Sequence, residues 1–104
     1  MSIVHVVAVL TAKPGRRNEV LALFHDIVPT VLAEQGCIAY EATIDTKDGS
    51  ATQAEYGVDT FVVIEKWEGL SALRAHSASR HMAAFADRTK DMMASRAVHI
   101  LSPS

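Results

Sequence analysis

The sequence predicts an α+β domain of the ferredoxin-like type, with the order β-α-β-β-α-β and both helices on one face of an antiparallel four-stranded sheet. Three observations predict it. Short runs of β-branched residues alternate with two longer segments whose apolar residues recur every three or four positions. Proline and glycine punctuate the junctions. The 104 residues are 49% hydrophobic and 21% charged, which suits a single globular domain over 1–104.

Ile3 to Ala12 is rich in β-branched residues and stops at Lys13-Pro14-Gly15, a strand followed by a turn. From Arg16 to Gln35, Val20, Leu23, Phe24, Ile27, Val28, Val31 and Leu32 mark one face of a helix. Pro29 is expected to kink or split that helix, because it has no N–H for the preceding turn. Gly36 suits the left-handed residue that closes it. Cys37 to Asp45 reads as a second strand, and the polar stretch Thr46 to Asp59 as a long hairpin connection. Thr60 to Trp67 is a third strand. Leu70 to about Ser95 reads as helical, in one piece or in two broken near Ser77-Ala78-Ser79. Ala97 to Leu101 is a short fourth strand.

Both sheet faces are apolar. In the first strand Ile3, Val7 and Val9 oppose Val4, Val6, Ala8 and Leu10; in the third, Phe61, Val63 and Trp67 oppose Val62 and Ile64. The helices cover one face only. A second copy of the chain, packed sheet to sheet as a homodimeric barrel, is the simplest cover for the other.

A net charge of -2 argues against nucleic acid as a partner. Arg16-Arg17, with Glu19 close by, reads as a solvated helix start. The lone Cys37 excludes an internal disulfide, and its place after a helix end leaves it a buried, inert thiol. No signal-peptide pattern opens the chain and no apolar run is long enough to span a bilayer. By elimination a soluble, cytoplasmic protein is expected.

The groups able to do chemistry gather at one strand–helix junction: Glu65-Lys66-Trp67, then His76, His81, Met82 and Phe85. His76 and His81 each have two readings, as an acid–base group near neutrality or as a histidine bonded to local backbone. Trp67 either stacks on a flat ligand and offers its N–H, or is core. Glu65 shares a strand face with Phe61 and Trp67, so burial requires that it be paired or protonated. Met82, Phe85, Met92 and Met93 suit a flexible apolar wall. Tyr40 either donates to an oxyanion or packs. His76 and His81 lie five apart, roughly 140° around a helix, so a regular helix does not aim both at one ion; no metal site is expected.

In order along the chain, Lys13-Pro14-Gly15, Glu34-Gln35-Gly36-Cys37-Ile38-Ala39-Tyr40, Phe61 with Glu65-Lys66-Trp67, Ala72-Leu73 with His76, and Ser79-Arg80-His81 with Phe85 resemble the antibiotic biosynthesis monooxygenase family, including its quinol monooxygenase-like members. The resemblance spans roughly residues 3–100. It implies a ferredoxin-like subunit dimerised into an α+β barrel that oxygenates a small quinol or phenol with O2 and no metal, flavin or haem. Under it His76, Trp67 and His81 become candidate catalytic residues, and Glu65, Phe85, Met82 and Tyr40 candidate substrate contacts. The stretch 46–59 is longer than the corresponding turn in many members, and is expected across the pocket or at the dimer edge. Relatives on this barrel also degrade haem, but the place for an axial histidine holds Ala83, Ala84 and Phe85. An isomerase, or a non-catalytic ligand-binding or stress-associated dimer, are the other readings.

Overall fold

The computed structural model describes residues 2–104. Its elements are β1 (Val4–Ala12), α1 (Arg17–Leu32), β2 (Cys37–Thr43), β3 (Thr60–Trp67), α2 (Leu70–Ser77), α3 (Arg80–Thr89) and β4 (Met93–Leu101). All strand pairs are antiparallel and the sheet order is β2-β3-β1-β4. That order is what the ferredoxin-like arrangement requires: the outer pairs of the chain interleave, so β1 lies between β3 and β4.

Alternation along β1 and β3 sets the core. Val4, Val6 and Ala8 of β1, with Phe61, Val63 and Trp67 of β3, are buried against Val20, Phe24 and Val31 of α1 and Leu73 of α2. Phe24 is the hub of this layer, stacked on Tyr40 with centroids 5.2 Å apart and edge-on to Phe61 and Phe85. On the opposite face, Val7 and Val9 are half-buried and Ile64 is 47% exposed, so the two-sided apolar sheet is present. No helix among the described residues is long and apolar enough to cross a membrane.

Three details differ from expectation. Helix α1 runs through Pro29 unbroken. The missing N–H falls near the helix end and orphans only the carbonyl of His25, an exposed residue. The second helical region ends at Thr89, not near Ser95, and β4 begins at Met93, not Ala97. The Met92-Met93 stretch fits helix or strand, and pairing decides it: Met93 and Ser95 ladder onto Ala12 and Thr11 of β1 across a bulge. Of its two expected places the stretch 46–59 does not take the first, since none of it lines the cavity between the helices and the sheet. It is folded on itself, with the Asp45 carboxylate accepting the Tyr56 and Gly57 N–H groups at 3.0 and 2.8 Å. Those two backbone bonds hold the Asp45 carboxyl below its ordinary range.

The helical region does break between Ser77 and Arg80, as one sequence alternative had it. Ser79 terminates one helix and starts the next. Its hydroxyl donates to the His76 carbonyl at 2.7 Å and accepts from the Met82 N–H at 3.4 Å, the N-cap bond of α3. The break turns the chain, and the site depends on that turn.

Candidate active site

A cavity of about 400 Å3 lies between the helices and the sheet. Val6, Leu10, Phe24, Leu73, Phe85 and Ile100 give it apolar walls. Four residues expected at the site, Tyr40, Glu65, Met82 and Phe85, line it together with His76; Met93 also lines it, whereas Met92 does not.

His76 is the buried imidazole of this cavity. Its Nδ1 lies 2.8 Å from Oε2 of Glu34, just past the C-terminal cap of α1. His81 reaches the same oxygen with Nε2, also at 2.8 Å, and its Nε2 is 3.2 Å from the Ser79 hydroxyl. Two imidazoles thus converge on one carboxylate oxygen, where regular helical spacing had seemed to forbid it. A five-residue spacing forbids convergence only within a single helix. The turn at Ser79 places His76 on α2 and His81 on α3, so they approach from different directions. Burial opposes charge on Glu34, but the hydrogen bonds and charges of His76 and His81 outweigh it and hold the carboxyl below its ordinary range.

The Glu34 bond fixes the His76 tautomer. An ionised carboxylate only accepts, so Nδ1 must carry the proton, and in the neutral ring Nε2 is left as the basic atom. Nε2 has no hydrogen-bond partner among the described residues. A carboxylate behind an imidazole whose far nitrogen is free is the arrangement that orients a general base.

Glu65 sits on the same wall. Its Oε1 accepts the Trp67 indole N–H at 3.0 Å. Burial raises its pKa, against the lowering effects of that bond and of nearby His76, so the neutral carboxylic acid is favoured relative to an exposed glutamate. Tyr40 is likewise held as the neutral phenol, chiefly by burial and then by the carboxylates of Glu65 and Glu34. Its hydroxyl points at Met82 Sδ, 3.9 Å away.

Trp67 takes the core place that was one of its two readings, and neither it nor His81 lines this cavity. Trp67 is fully buried; its ring lies 4.7 Å from the His76 ring and packs on it. His81 contacts Glu34. Glu34 is the site carboxylate that reading the sequence for chemistry passed over. It lies in the Glu34-Gln35-Gly36 helix ending, where an acidic residue reads as a solvated terminus, and the only available signal was the family pattern. Cys37 is half-buried with its pKa raised, first by burial and then by Glu34 and Glu65, which fits an inert thiol.

A family model described as antibiotic biosynthesis monooxygenase matches residues 3–88. The chain belongs to the antibiotic biosynthesis monooxygenase family. It is 37% identical over 100 residues to the probable quinol monooxygenase YgiN of Escherichia coli K12, covering 94% of this chain and 95% of that protein. Among solved structures it is similar to Rv0793 from Mycobacterium tuberculosis, with a TM-score of 0.80 at 25% identity over 99% of this chain and 96% of the other. It is also similar to PA3566 from Pseudomonas aeruginosa, with a TM-score of 0.83 at 21% identity, covering 100% and 96% of the two chains. Within this monooxygenase family, then, the site to be explained is an apolar cavity carrying one oriented imidazole and one buried carboxyl.

Proposed function

We propose that this chain is a monooxygenase that oxidises a small quinol or phenol with O2 and without a resident cofactor, working as a homodimer. The observation that carries the reading is His76. Its Nδ1 is held by Glu34 while the ring lines a largely apolar cavity that also contains Glu65. Its kinship to a probable quinol monooxygenase supports the substrate class.

The chemistry follows from what O2 lacks. Ground-state O2 is a triplet and reacts slowly with closed-shell molecules, so the substrate must become the electron donor. His76 Nε2 takes the proton of a substrate O–H, and the resulting anion passes one electron to O2. The superoxide and the substrate radical combine at a ring carbon and form a C–O bond. Breaking the O–O bond then leaves one oxygen on the ring and sends the other out as water. A quinol plus O2 gives a hydroxyquinone plus H2O, and every electron comes from the substrate. Glu65, as a neutral acid, donates a hydrogen bond to the developing peroxide and then its proton to the departing oxygen. The apolar walls exclude the water that would intercept the radical pair.

The test is O2 consumption with a simple hydroquinone in the presence of chelator and without added flavin. Uptake of one O2 per quinol is expected. His76→Ala should lower kcat by about 10^2- to 10^4-fold, the usual worth of a positioned base. Trp67→Phe, which removes the N–H on Glu65, should lower it less. Unchanged oxygenation in His76→Ala would overturn the assignment. The same imidazole–carboxyl pair also suits proton-transfer isomerisation, which would proceed anaerobically.

A further inference from the structure

We propose that Glu34, His76 and His81 form a binding site for a late first-row divalent metal ion, and that occupancy of this site turns His76 from a base into a donor. The binding claim rests on geometry alone; its effect on turnover rests on the function proposed above.

The three ligand atoms, Glu34 Oε2, His76 Nδ1 and His81 Nε2, lie within 4.8 Å of one another. Both oxygen–nitrogen separations are 2.8 Å. Ligands about 2.1 Å from one ion in the tetrahedral shell that zinc prefers stand roughly 3.4 Å apart, so small side-chain rotations that open the two short edges and bring the nitrogens together would seat the ion. Two imidazoles and one carboxylate favour zinc, cobalt, nickel or ferrous iron over magnesium or calcium, which prefer all-oxygen shells. Outer contacts are in place as well. The Ser79 hydroxyl lies beside His81 and the Trp67 ring packs on His76, limiting how far either imidazole can swing. Side-chain exposures of 27% for His81 and 15% for Glu34 leave both within reach of solvent, and neither residue lines the cavity.

The consequence concerns one proton. Without metal, His76 carries its proton on Nδ1, against Glu34. A metal ion takes the Nδ1 lone pair, so the neutral ring must carry its proton on Nε2 instead. His81, bound through Nε2, carries its own on Nδ1. Neutral rings change tautomer with no net proton released, and a protonated ring loses one. The atom that faced substrate as an acceptor now presents an N–H, and base catalysis stops.

Binding is read without substrate, so it stands or falls separately from oxygenase activity. Calorimetric titration of the chelator-treated protein with Zn2+ should show one site per chain, with no matching uptake of Mg2+. Co2+ should give visible d–d absorption that Zn2+ abolishes. Glu34→Gln and His81→Gln, shown to be folded by circular dichroism, should each weaken Zn2+ binding at least tenfold. His5→Gln and His99→Gln, on the opposite sheet face, should leave it unchanged. X-ray absorption of the Co2+-loaded wild type, which needs no variant to fold, should report two imidazole ligands. Absence of saturable Zn2+ uptake, uptake that survives Glu34→Gln and His81→Gln, or a cobalt shell without two imidazoles would each overturn the site. Where quinol turnover exists, Zn2+ should abolish it and chelator restore it.

Discussion

Glu65 is a largely buried carboxyl, and its pKa is raised from an ordinary 4.5 chiefly by that burial. The sign of its effect on stability follows. A group whose native pKa exceeds its unfolded one binds more protons when folded, so stability falls as pH rises from the unfolded value through the native one. Glu65→Gln keeps an oxygen for the Trp67 N–H and removes the charge. The variant should therefore gain thermal stability relative to wild type at pH 8 and lose that advantage at pH 4, while kcat falls by about 10^2-fold for want of an acidic proton. Thermal unfolding of both proteins across that range checks it; a difference in melting temperature that did not vary with pH would refute a buried, neutral-favouring Glu65. Glu34 works in the opposite sense. Its lowered pKa adds stability above its unfolded value, and that contribution is lost as pH falls through the native one. At this scale the sequence was legible wherever residue type restricts role: a carboxylate on an apolar strand face, an imidazole beside an indole. It was not legible for Glu34, whose role comes entirely from what two other segments bring to it.

The helix breaks and turns decide which groups meet. Ser79 splits a region that the sequence allows as one helix or as two, and the Ser77-Ala78-Ser79 signal for that break was visible. Its consequence, two histidines converging from different helices, was not, because helical wheels carry no information across a turn. The β4 boundary was misplaced for a related reason, since Met92 and Met93 have no strong preference and the ladder to β1 settles them. Gly36 shows a local choice that tertiary packing makes strict. It has φ +86°, and a Cβ built there would lie 2.6 Å from the Ala72 Cβ at the start of α2. Gly36→Ala should destabilise by about 2–4 kcal/mol, combining the left-handed penalty with overpacking. Gly15→Ala is the control. Gly15 has φ +79° but nothing within 4 Å of the added carbon, so it should lose only about 1–2 kcal/mol. Urea unfolding of the pair separates the terms; equal losses would mean that the contact with α2 yields freely.

The subunit as a whole is a thin slab, with principal extents of 38 × 34 × 20 Å, one helical layer on one sheet. Its radius of gyration of 14.2 Å exceeds the roughly 13 Å of a compact chain this long. The reason lies in β1 and β3, whose outward residues Val7, Val9 and Ile64 have no helix over them. A second subunit packed on that face would convert two open slabs into a closed barrel, and the substitution that tests this is Ile64→Lys. Ile64 lies mid-strand, paired with Val7 on β1 and Glu41 on β2, and is already 47% exposed, so the lone subunit should tolerate the change, with Glu41 a neighbour for the new ammonium. In a face-to-face dimer the same lysine would be buried without a partner and should raise the dimer dissociation constant by at least about 100-fold. Sedimentation at micromolar concentration should show wild type as a dimer and the folded variant as a monomer. The cavity lies on the helical side and is lined by a single chain, so the monomeric variant should keep its affinity for a quinol even if it unfolds more readily. A wild type that sediments as a monomer would refute the barrel, and a dimer unmoved by Ile64→Lys would place the interface away from this face.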